Sequence, residues 1–383
     1  MFATGIDPRV KPEDDAGGEI AANSRDRILA RLHVRMNTAM NRHFNRLLIV
    51  ADDLTGALDT AAPFAASGHK VTVVADHRFI AEALDSDADV ITLTTRSREI
   101  PADEAANRIV CIKAALKPGI RLFKKVDSRL KGNLEAELTE LAFERAVVLP
   151  GIPEFGRIVS DGLIDGFGVD TPISIAERLG ALAHRCRFPD TLTPQDMRDA
   201  ADTIEENELM VGALSLAKAV AGESHPPPLT YPTRRILMAI GSRDPITLAQ
   251  VERLKAARPD LLHVPAPNGI AALASEKHCG ASITLIQAMP SETEVSPMQV
   301  ASALAASIAE YAHAGDTILL SGGATAEAYF DDQRLHVLGF AGEALPGLPV
   351  AEFNGTFYIT KSGGFGSEDT LLRLAETITG GEA

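Results

Sequence analysis

Short apolar runs alternate with helical patterns along the chain from residue 46 onward. The run at 47–51, Leu-Leu-Ile-Val-Ala, is apolar at every position, which is typical of a strand buried on both faces. A helical pattern follows over 57–66 and ends at Ser67-Gly68, where glycine favours a helix C-terminus. Strands that alternate with helices of about ten to fifteen residues predict a mainly parallel α/β sheet.

The same alternation predicts further elements in both halves of the chain. In the first half it predicts strands at 71–74, 90–94, 122–126 and 147–149, and helices at 102–116, 134–143, 174–186 and 198–220. In the second half it predicts strands at 236–240, 261–264, 282–286, 317–320 and 356–360, and helices at 245–257, 269–277, 298–313 and 367–378.

A proline-rich segment separates the two series. Residues 226–232 contain four prolines, a composition that favours an extended connector. We therefore predict two α/β domains, 46–223 and 234–383, each a mainly parallel sheet flanked by helices. A linker at 224–233 joins them, and a cleft lies between them.

The first 45 residues have a different composition. They show no sustained hydrophobic period and no apolar segment of the signal-peptide kind. We expect this extension to be disordered or non-native, with translation starting at Met36 or Met40.

Charge and cysteine usage narrow the class of protein. The 383 residues carry a formal net charge of −15, which argues against a general binder of nucleic acid or anionic lipid, because phosphate neutralisation needs clustered Lys and Arg. No apolar stretch reaches the ~18–20 residues of a membrane-spanning helix. Cys111, Cys186 and Cys279 are too few and too far apart for a disulfide framework or a structural zinc site. We expect a cytoplasmic protein that binds neither nucleic acid nor membrane.

Clusters of polar side chains follow the predicted strands of the first half. Ligands of open α/β sheets bind at the carboxyl ends of strands, so these clusters are candidate binding residues. Adjacent carboxylates can bind hydroxyls, hold Mg²⁺ through water or accept a hydroxyl proton, and an arginine can hold a carboxylate through two hydrogen bonds. The clusters are Asp52-Asp53-Leu54-Thr55-Gly56, Thr94-Thr95-Arg96-Ser97-Arg98, Lys124-Lys125-Val126-Asp127-Ser128-Arg129-Leu130-Lys131-Gly132-Asn133 and Glu154-Phe155-Gly156-Arg157.

Each cluster also has a purely structural interpretation. One aspartate of the first pair could cap a helix, and the arginine turn could be a solvated surface turn. The lysine-rich run could be a network of surface ion pairs that contributes little stability. The second aspartate, and the mixture of cations with a carboxylate, a hydroxyl and an amide, favour binding of an anionic polyol.

Three glycine-rich turns follow predicted strands of the second half. Such turns present backbone N–H groups at a helix N-terminus, where phosphate oxygens bind. One turn would be a weak signal, since glycines also serve plain tight turns, but three in one domain predict a nucleotide site. The turns are Gly241-Ser242-Arg243-Asp244-Pro245-Ile246-Thr247, Ser321-Gly322-Gly323-Ala324-Thr325 and Lys361-Ser362-Gly363-Gly364-Phe365-Gly366.

Several common motifs are missing from the sequence. Gly-Lys occurs nowhere, so there is no Walker-A loop, and no G-x-G-x-x-G follows a predicted strand. H-E-x-x-H and G-x-S-x-G are also missing, which removes the main support for a zinc protease or an α/β-hydrolase.

In chain order, four of these motifs resemble the four-carbon acid sugar kinases. The resemblance spans about residues 46–378 and implies an N-terminal domain that binds a sugar acid and a C-terminal domain that binds ATP. It implies phosphorylation, with Mg²⁺, of the terminal hydroxyl of acids such as threonate, erythronate or 3-oxo-tetronate. The motifs are Ala51-Asp52-Asp53-Leu54-Thr55-Gly56-Ala57, Lys124-Lys125-Val126-Asp127-Ser128-x-Leu130-x-Gly132-Asn133, Pro153-Glu154-x-Gly156-Arg157 and Lys361-Ser362-Gly363-Gly364-Phe365-Gly366.

The resemblance implies roles for individual residues. Asp53 is the expected base for the hydroxyl proton, with Asp52 and Asp127 as rivals. The expected sugar-acid ligands are Thr55, Gly56, Ser97, Arg98, Lys125, Ser128, Arg129, Asn133, Glu154 and Arg157. The expected nucleotide ligands are Ser242, Asp244, Thr247, Gly322, Gly323, Thr325, Ser362, Gly363 and Gly364.

The sequence departs from the family pattern at three places. Ala324 stands where similar proteins usually carry an acidic residue, Arg243-Asp244 where many carry small residues, and Arg96 where an acidic or polar residue is common. Two other functions therefore remain open, a sugar-acid sensor without catalysis and another ATP-dependent enzyme such as a ligase. A homodimer is a further expectation.

Overall fold

The computed structural model describes residues 44–222, 226, 228–272 and 281–380. The predicted N-terminal extension, with its start at Met36 or Met40, lies outside the described residues. So do residues 224, 225 and 227 of the predicted linker and most of the helix predicted at 269–277. The domain boundaries at 46–223, 224–233 and 234–383 stay predictions.

Strands and helices alternate through the first half as the hydrophobic pattern predicts. In chain order the elements are β1 (Leu47–Ala51), α1 (Leu54–Ala66), β2 (Val71–Val74), α2 (Ile80–Leu84), β3 (Val90–Thr94), α3 (Ala102–Ala115), β4 (Arg121–Lys125), α4 (Leu134–Leu141), β5 (Arg145–Leu149), β6 (Arg157–Ser160), β7 (Leu163–Gly166), β8 (Ile173–Ser174), α5 (Ile175–Leu179), β9 (Cys186–Arg187), α6 (Pro194–Asp202), β10 (Glu208–Gly212) and α7 (Leu214–Ala221).

The second half repeats the alternation and adds an antiparallel hairpin. Its elements are β11 (Ile236–Ile240), α8 (Pro245–Ala257), β12 (Leu262–Pro267), β13 (Ile283–Met289), α9 (Pro297–Tyr311), β14 (Thr317–Ser321), α10 (Gly323–Asp332), β15 (Val337–Leu345), β16 (Leu348–Phe353), β17 (Thr356–Lys361) and α11 (Thr370–Thr379).

One sheet of 14 strands runs through both halves, in the order β12-β13-β11-β14-β17-β16-β15-β2-β3-β1-β4-β10-β5-β9. Each half contributes a parallel group, and the antiparallel strands β15 and β16 join the groups by pairing with β2 and β17. The α/β class and the mainly parallel sheet flanked by helices are confirmed. Strands β6, β7 and β8 form a separate small antiparallel sheet.

Two predictions from periodicity are wrong in detail. The helix predicted at 198–220 is two helices, α6 and α7, with the buried strand β10 between them. Its apolar run is too short for the hydrophobic period to distinguish strand from helix, and pairing between β4 and β5 decides the outcome. The helix predicted at 174–186 ends at Leu179, and a 3₁₀ segment (Gly180–Arg185) follows it. The hairpin β15–β16 has no counterpart in the prediction.

The core continues from one half into the other. Leu54 and Leu58 of α1 belong to the same buried cluster as Phe330 of α10 and Leu338 of β15. In each half the first strand lies inside the sheet, with later strands on both sides of it: β1 lies between β3 and β4, and β11 lies between β13 and β14. The strand order therefore reverses at β1 and at β11. Ligand sites of open α/β sheets lie at the carboxyl ends of strands around such a reversal.

Candidate active site

A cavity of about 750 Å³ is lined by residues from both halves of the sheet. The first half contributes one face of α1, the turn after β4 and one face of α7. The second half contributes Glu343, Pro346 and Gly347 at the β15–β16 turn, together with Ser362 and Phe365 after β17. The predicted site residues that line the cavity are Asp53, Thr55, Gly56, Arg98, Lys125, Asp127, Ser128 and Ser362.

Arg98 is held by both aspartates of the first motif. Its Nε and Nη2 each donate to Asp52 at 2.8 Å, and its Nη1 lies 2.7 Å from Asp53 Oδ2. Burial alone would raise the pKa of Asp52, but hydrogen bonds from Arg98 and the charges of Lys124 and Lys125 hold the pKa of that carboxyl below its usual range. Burial alone would lower the pKa of Arg98, but the hydrogen bond to Asp52 and the charges of Asp53 and Asp52 raise it. The positive charge of the Arg98 guanidinium is therefore already neutralised by Asp52 and Asp53 where it lines the cavity.

Asp53 begins helix α1. Its Oδ1 accepts from Gly56 N at 2.9 Å, and its Oδ2 accepts from the Thr55 hydroxyl at 2.9 Å. The helix-cap interpretation of this aspartate is thus correct in geometry. Glycine is needed at 56, because a Cβ there would lie 2.3 Å from Asp53 Oδ1 and 3.0 Å from Lys125 Nζ.

Lys125 and Ser128 provide polar atoms on the opposite side of the cavity. Lys125 ends β4, is 7% exposed and lines the cavity, and no hydrogen bond or ion pair to its side-chain ammonium group is found among the described residues. Ser128 Oγ accepts from Arg157 Nη1 at 2.5 Å, which places the predicted Arg157 beside the cavity. Asp127 accepts from the backbone N–H of Arg129 at 2.8 Å, and the side chain of Arg129 reaches Gly168 O at 3.4 Å.

Two predicted ligands, Ser97 and Asn133, support the fold around the cavity. Ser97 is fully buried and donates to Glu137 Oε1 at 2.6 Å, and Glu137 lies 2.9 Å from Lys124 Nζ in a buried ion pair. Asn133 donates to Ser97 O and Ile100 O at 2.7 and 2.8 Å and so fixes the loop that carries Arg98. These side chains do not face the cavity.

Glu154, the predicted ligand of the fourth cluster, is also turned away from the cavity. Glu154 accepts a hydrogen bond from Ser215 near the start of α7, and neither residue lines the cavity. The hydrophobic neighbours of Glu154, Ile152 and Phe155, line it instead.

The cavity is also lined by three charged residues that the sequence did not point to: Asp59 on α1, Lys218 on α7 and Glu343 on β15. Burial, with the nearby negative charges of Asp53 and Glu343, raises the pKa of Asp59 to about 7, against the opposing effect of Lys125. Burial likewise raises the pKa of Glu343. Asp59 could have been found by helical spacing, since it lies four residues after Thr55 on the same face.

The three glycine-rich turns lie side by side, because β11, β14 and β17 are neighbours in the sheet. Gly241 N and Ser242 N both donate to Ser321 O at 3.0 Å, and Gly322 N donates to Lys361 O at 2.9 Å. Asp244 caps α8 through Ile246 N at 2.9 Å. The predicted nucleotide ligands are therefore brought together at one edge of the sheet, with Ser362 reaching the shared cavity.

Buried side chains support these turns from below. Lys361 is 1% exposed, and its Nζ donates to Thr247 Oγ1 at 2.9 Å, Ser362 O at 3.0 Å and Gly363 O at 3.1 Å. Burial lowers the pKa of Lys361 to about 8. Thr325 packs so closely on Gly241 that a Cβ there would lie 1.9 Å from the threonine hydroxyl. Thr247 and Thr325 thus shape the turns from inside the fold.

Direct side-chain contacts join the two halves. Arg96 pairs with Asp331 of α10 at 2.7 Å, and the Phe79 ring stacks on His336 with centroids 4.0 Å apart. Glu327 of α10 accepts a hydrogen bond from the backbone of Leu54, at the start of α1. Burial raises the pKa of Glu327, with Asp53 among the nearby charges.

Among the described residues that line the cavity, no three metal-ligating side chains lie close enough together to share a cation. Within the described residues, a set of at least three potential ligand side chains close enough to share a cation occurs at Asp76, Asp331 and His336. These residues do not line the cavity, and Asp76 and Asp331 are paired with Arg78 and Arg96. Across the described part of the chain, no helix combines the length and apolar character needed to cross a bilayer.

Comparisons with known proteins match the two halves separately and the chain as a whole. A sugar-binding N-terminal domain model matches residues 47–165, and a nucleotide-binding C-terminal domain model matches residues 237–371. The chain is 26% identical to a D-threonate kinase of Bordetella bronchiseptica, over 86% of this chain and 96% of that protein. It is 33% identical to a D-erythronate kinase of Heliobacterium modesticaldum, over 31% of this chain and 29% of that protein.

Solved structures show the same fold at low identity. A Salmonella typhimurium protein described as a tRNA synthase matches with a TM-score of 0.67 and 17% identity, over 86% of this chain and 98% of that one. A Haemophilus influenzae protein matches with a TM-score of 0.64 and 19% identity, over 87% of this chain and 100% of that one. At such identity the likeness is evidence for the fold alone.

Proposed function

Because the chain belongs to the four-carbon acid sugar kinase family, we propose that it transfers the γ-phosphoryl group of ATP to the terminal hydroxyl of a four-carbon sugar acid. The observation that supports this most directly is the shared cavity. Side chains suited to an anionic polyol and the Ser362–Phe365 turn of the nucleotide-binding half line the same space. Such juxtaposition of acceptor and nucleotide is the main requirement of phosphoryl transfer.

On the sugar-acid side, Lys125 and Ser128 are the proposed partners of the carboxylate and hydroxyl groups. Lys125 is buried at the cavity wall, and among the described residues its ammonium group has no direct hydrogen bond or ion pair, so a ligand carboxylate would bind it directly. Arg157 and Arg129 stand behind Ser128 and Asp127. Arg98 would act chiefly by holding Asp52 and Asp53 in place.

On the nucleotide side, the three glycine-rich turns are the proposed phosphate cradle. A Cβ at Gly323 would have no neighbour within 4 Å, so the start of α10 is open to a ligand. Backbone N–H groups at such a helix start bind phosphate oxygens well. Gly322, Gly323, Ser362, Gly363 and Gly364 would contact the phosphates, while Ser242, Asp244, Thr247 and Thr325 would fix the turns.

Mg²⁺ would enter with the ATP phosphates. The carboxylates of Asp52 and Asp53 are already bound to Arg98, and Asp53 also to the backbone N–H of Gly56. Mg²⁺ in phosphoryl-transfer sites is commonly held by phosphates and water with few carboxylates. Its contribution would be to neutralise charge on the transferring phosphoryl group.

Release of ADP from Mg-ATP tests the proposal, with a panel of threonate, erythronate, 3-oxo-tetronate and longer or branched sugar acids. ADP release that depends on one acid is expected. Release of AMP would indicate a ligase, and binding of an acid without turnover would indicate a sensor. Lys125→Met should raise the KM for the acid, whereas Lys131→Met, which removes an exposed lysine of the same run, should leave it unchanged.

The cytoplasmic location and the homodimer stay predictions. Fractionation of the native host would test the first, and sedimentation of the purified chain would test the second.

A further inference from the structure

Asp59 differs from the other carboxylates around the cavity in having no partner. It lies on the face of α1 that lines the cavity, between Gly56 and Ala62. No hydrogen bond or ion pair to its carboxyl is found within the described part of the chain. Towards the C-terminus of α1, its cavity-lining neighbours are Ala62, Pro63 and Ala66, which have no polar side chain.

The other cavity carboxylates already accept hydrogen bonds. Asp53 accepts from Gly56 N and Thr55 Oγ1 and is paired with Arg98. Asp127 accepts from Arg129 N, and Glu343 accepts from Gly347 N at 2.7 Å. Each of these carboxylates has at least one oxygen engaged, whereas among the described residues neither carboxylate oxygen of Asp59 accepts a hydrogen bond, so both are free for the proton of a hydroxyl.

The charges that face Asp59 come from three elements. Lys125 ends β4, Asp53 precedes α1, and Glu343 belongs to β15 with Lys218 of α7 near it. Burial and the two carboxylates outweigh the lysine, so the pKa of Asp59 is about 7. A general base is most effective when its pKa lies near the operating pH, because enough of it is ionised and it still holds a proton well.

We propose that Asp59 is the base that accepts the proton of the sugar-acid hydroxyl during phosphoryl transfer, an inference that rests on the proposed kinase function. The hydroxyl oxygen forms a bond to the γ-phosphorus while the bond from that phosphorus to the β–γ bridging oxygen breaks. The electron pair of the broken bond leaves with ADP. The hydroxyl proton moves to a carboxylate oxygen of Asp59 and passes from there to water.

Asp59→Asn tests this role with little change in shape. In ADP-release assays with an acid that wild type turns over, kcat should fall by about 100-fold or more, the usual contribution of a general base. The KM for ATP should change little, because Asp59 lies on α1 and not on the glycine-rich turns. Asp85→Asn, which removes an exposed carboxylate paired with Lys117, is the matched control and should keep full activity.

The pH dependence of wild-type activity tests the role of Asp59 without requiring that the variant folds. The kcat/KM for the acid should rise with pH through about 7 as Asp59 loses its proton, and Asp59→Glu should keep a rising limb. A profile that is flat from about pH 6 to 8, or an Asp59→Asn variant within about threefold of wild type, would overturn the role of Asp59 alone. Wild type that releases no ADP with any acid would overturn the kinase proposal and this inference together.

Discussion

Replacing Arg98 by Met should destabilise the protein by leaving a buried carboxylate without its counter-charge. The side chain of Asp52 is 4% exposed, and Arg98 gives it two hydrogen bonds of 2.8 Å. Removing one partner of a buried ion pair typically costs about 3–5 kcal/mol. Because the Arg98 side chain itself is 26% exposed, we expect the lower end, about 3 kcal/mol. For a chain of 383 residues this corresponds to a fall in Tm of about 4 °C.

The loss should depend on pH in a defined direction. In wild type the pKa of Asp52 lies below its ordinary value, so the stability it contributes is present above that ordinary value and is lost as pH falls through the lowered pKa. Without Arg98, burial becomes the main influence and raises the pKa of Asp52. The variant then regains stability as Asp52 takes up a proton. The Tm difference between wild type and variant should therefore shrink from pH 7 to pH 5.

Thermal unfolding of four proteins completes the test: wild type, Arg98→Met, Asp52→Asn and the double variant. The double variant should recover much of the stability that Arg98→Met loses, because no buried charge is left unpaired. A single variant that loses less than about 1 kcal/mol would refute the reasoning, since an exposed pair is worth that little. A double variant as unstable as Arg98→Met would refute it as well.

Two further predictions concern the nucleotide-binding half. Lys361→Met should raise the KM for ATP by about tenfold or more without changing the KM for the acid, because three buried acceptors at Thr247, Ser362 and Gly363 lose their donor. Lys117→Met, at an exposed lysine, is the control. The same ATP KM for Lys361→Met and for Lys117→Met would contradict this prediction. Gly347→Ala should also weaken ATP binding, because the added Cβ would lie 2.1 Å from the Phe365 ring. Gly355→Ala is the control, since Gly355 has nearly the same φ (+78°, against +79° at Gly347) but an added Cβ would meet nothing within 4 Å. Similar ATP KM values for the two variants would show that the position of the ring is unimportant.

The sequence predicts the parallel strands well because their signal is local. Runs such as 47–51 and 236–240 are buried on both faces, so every position is apolar. The centre of strand β10 is also apolar, but Ala213 and Leu214 continue the apolar run into α7. The pattern therefore fits one continuous helix, and the end of the strand gives no separate signal. The hairpin β15–β16 escapes detection for the opposite reason: much of β15 is half-buried, with glycine and glutamate among its apolar residues.

The site was predictable as a region and less so residue by residue. Strand ends brought Asp53, Lys125, Ser128 and Ser362 to one cavity, as the topology of an α/β sheet requires. Periodicity does not reveal that Ser97 is turned into the core towards Glu137, because a loop has no fixed side-chain direction. Helical spacing is sufficient to predict which face of α1 lines the cavity, and this face carries Asp59.

Helix α1 connects the chemistry of the two halves. Its first turn is capped by Asp53, its backbone at Leu54 donates to Glu327 of the second half, and its cavity face carries Asp59. Asp331, on the same helix α10 as Glu327, pairs with Arg96 of the first half. One helix of the second half thus contacts the first half at two points, and one of these is the start of the helix that carries Asp59.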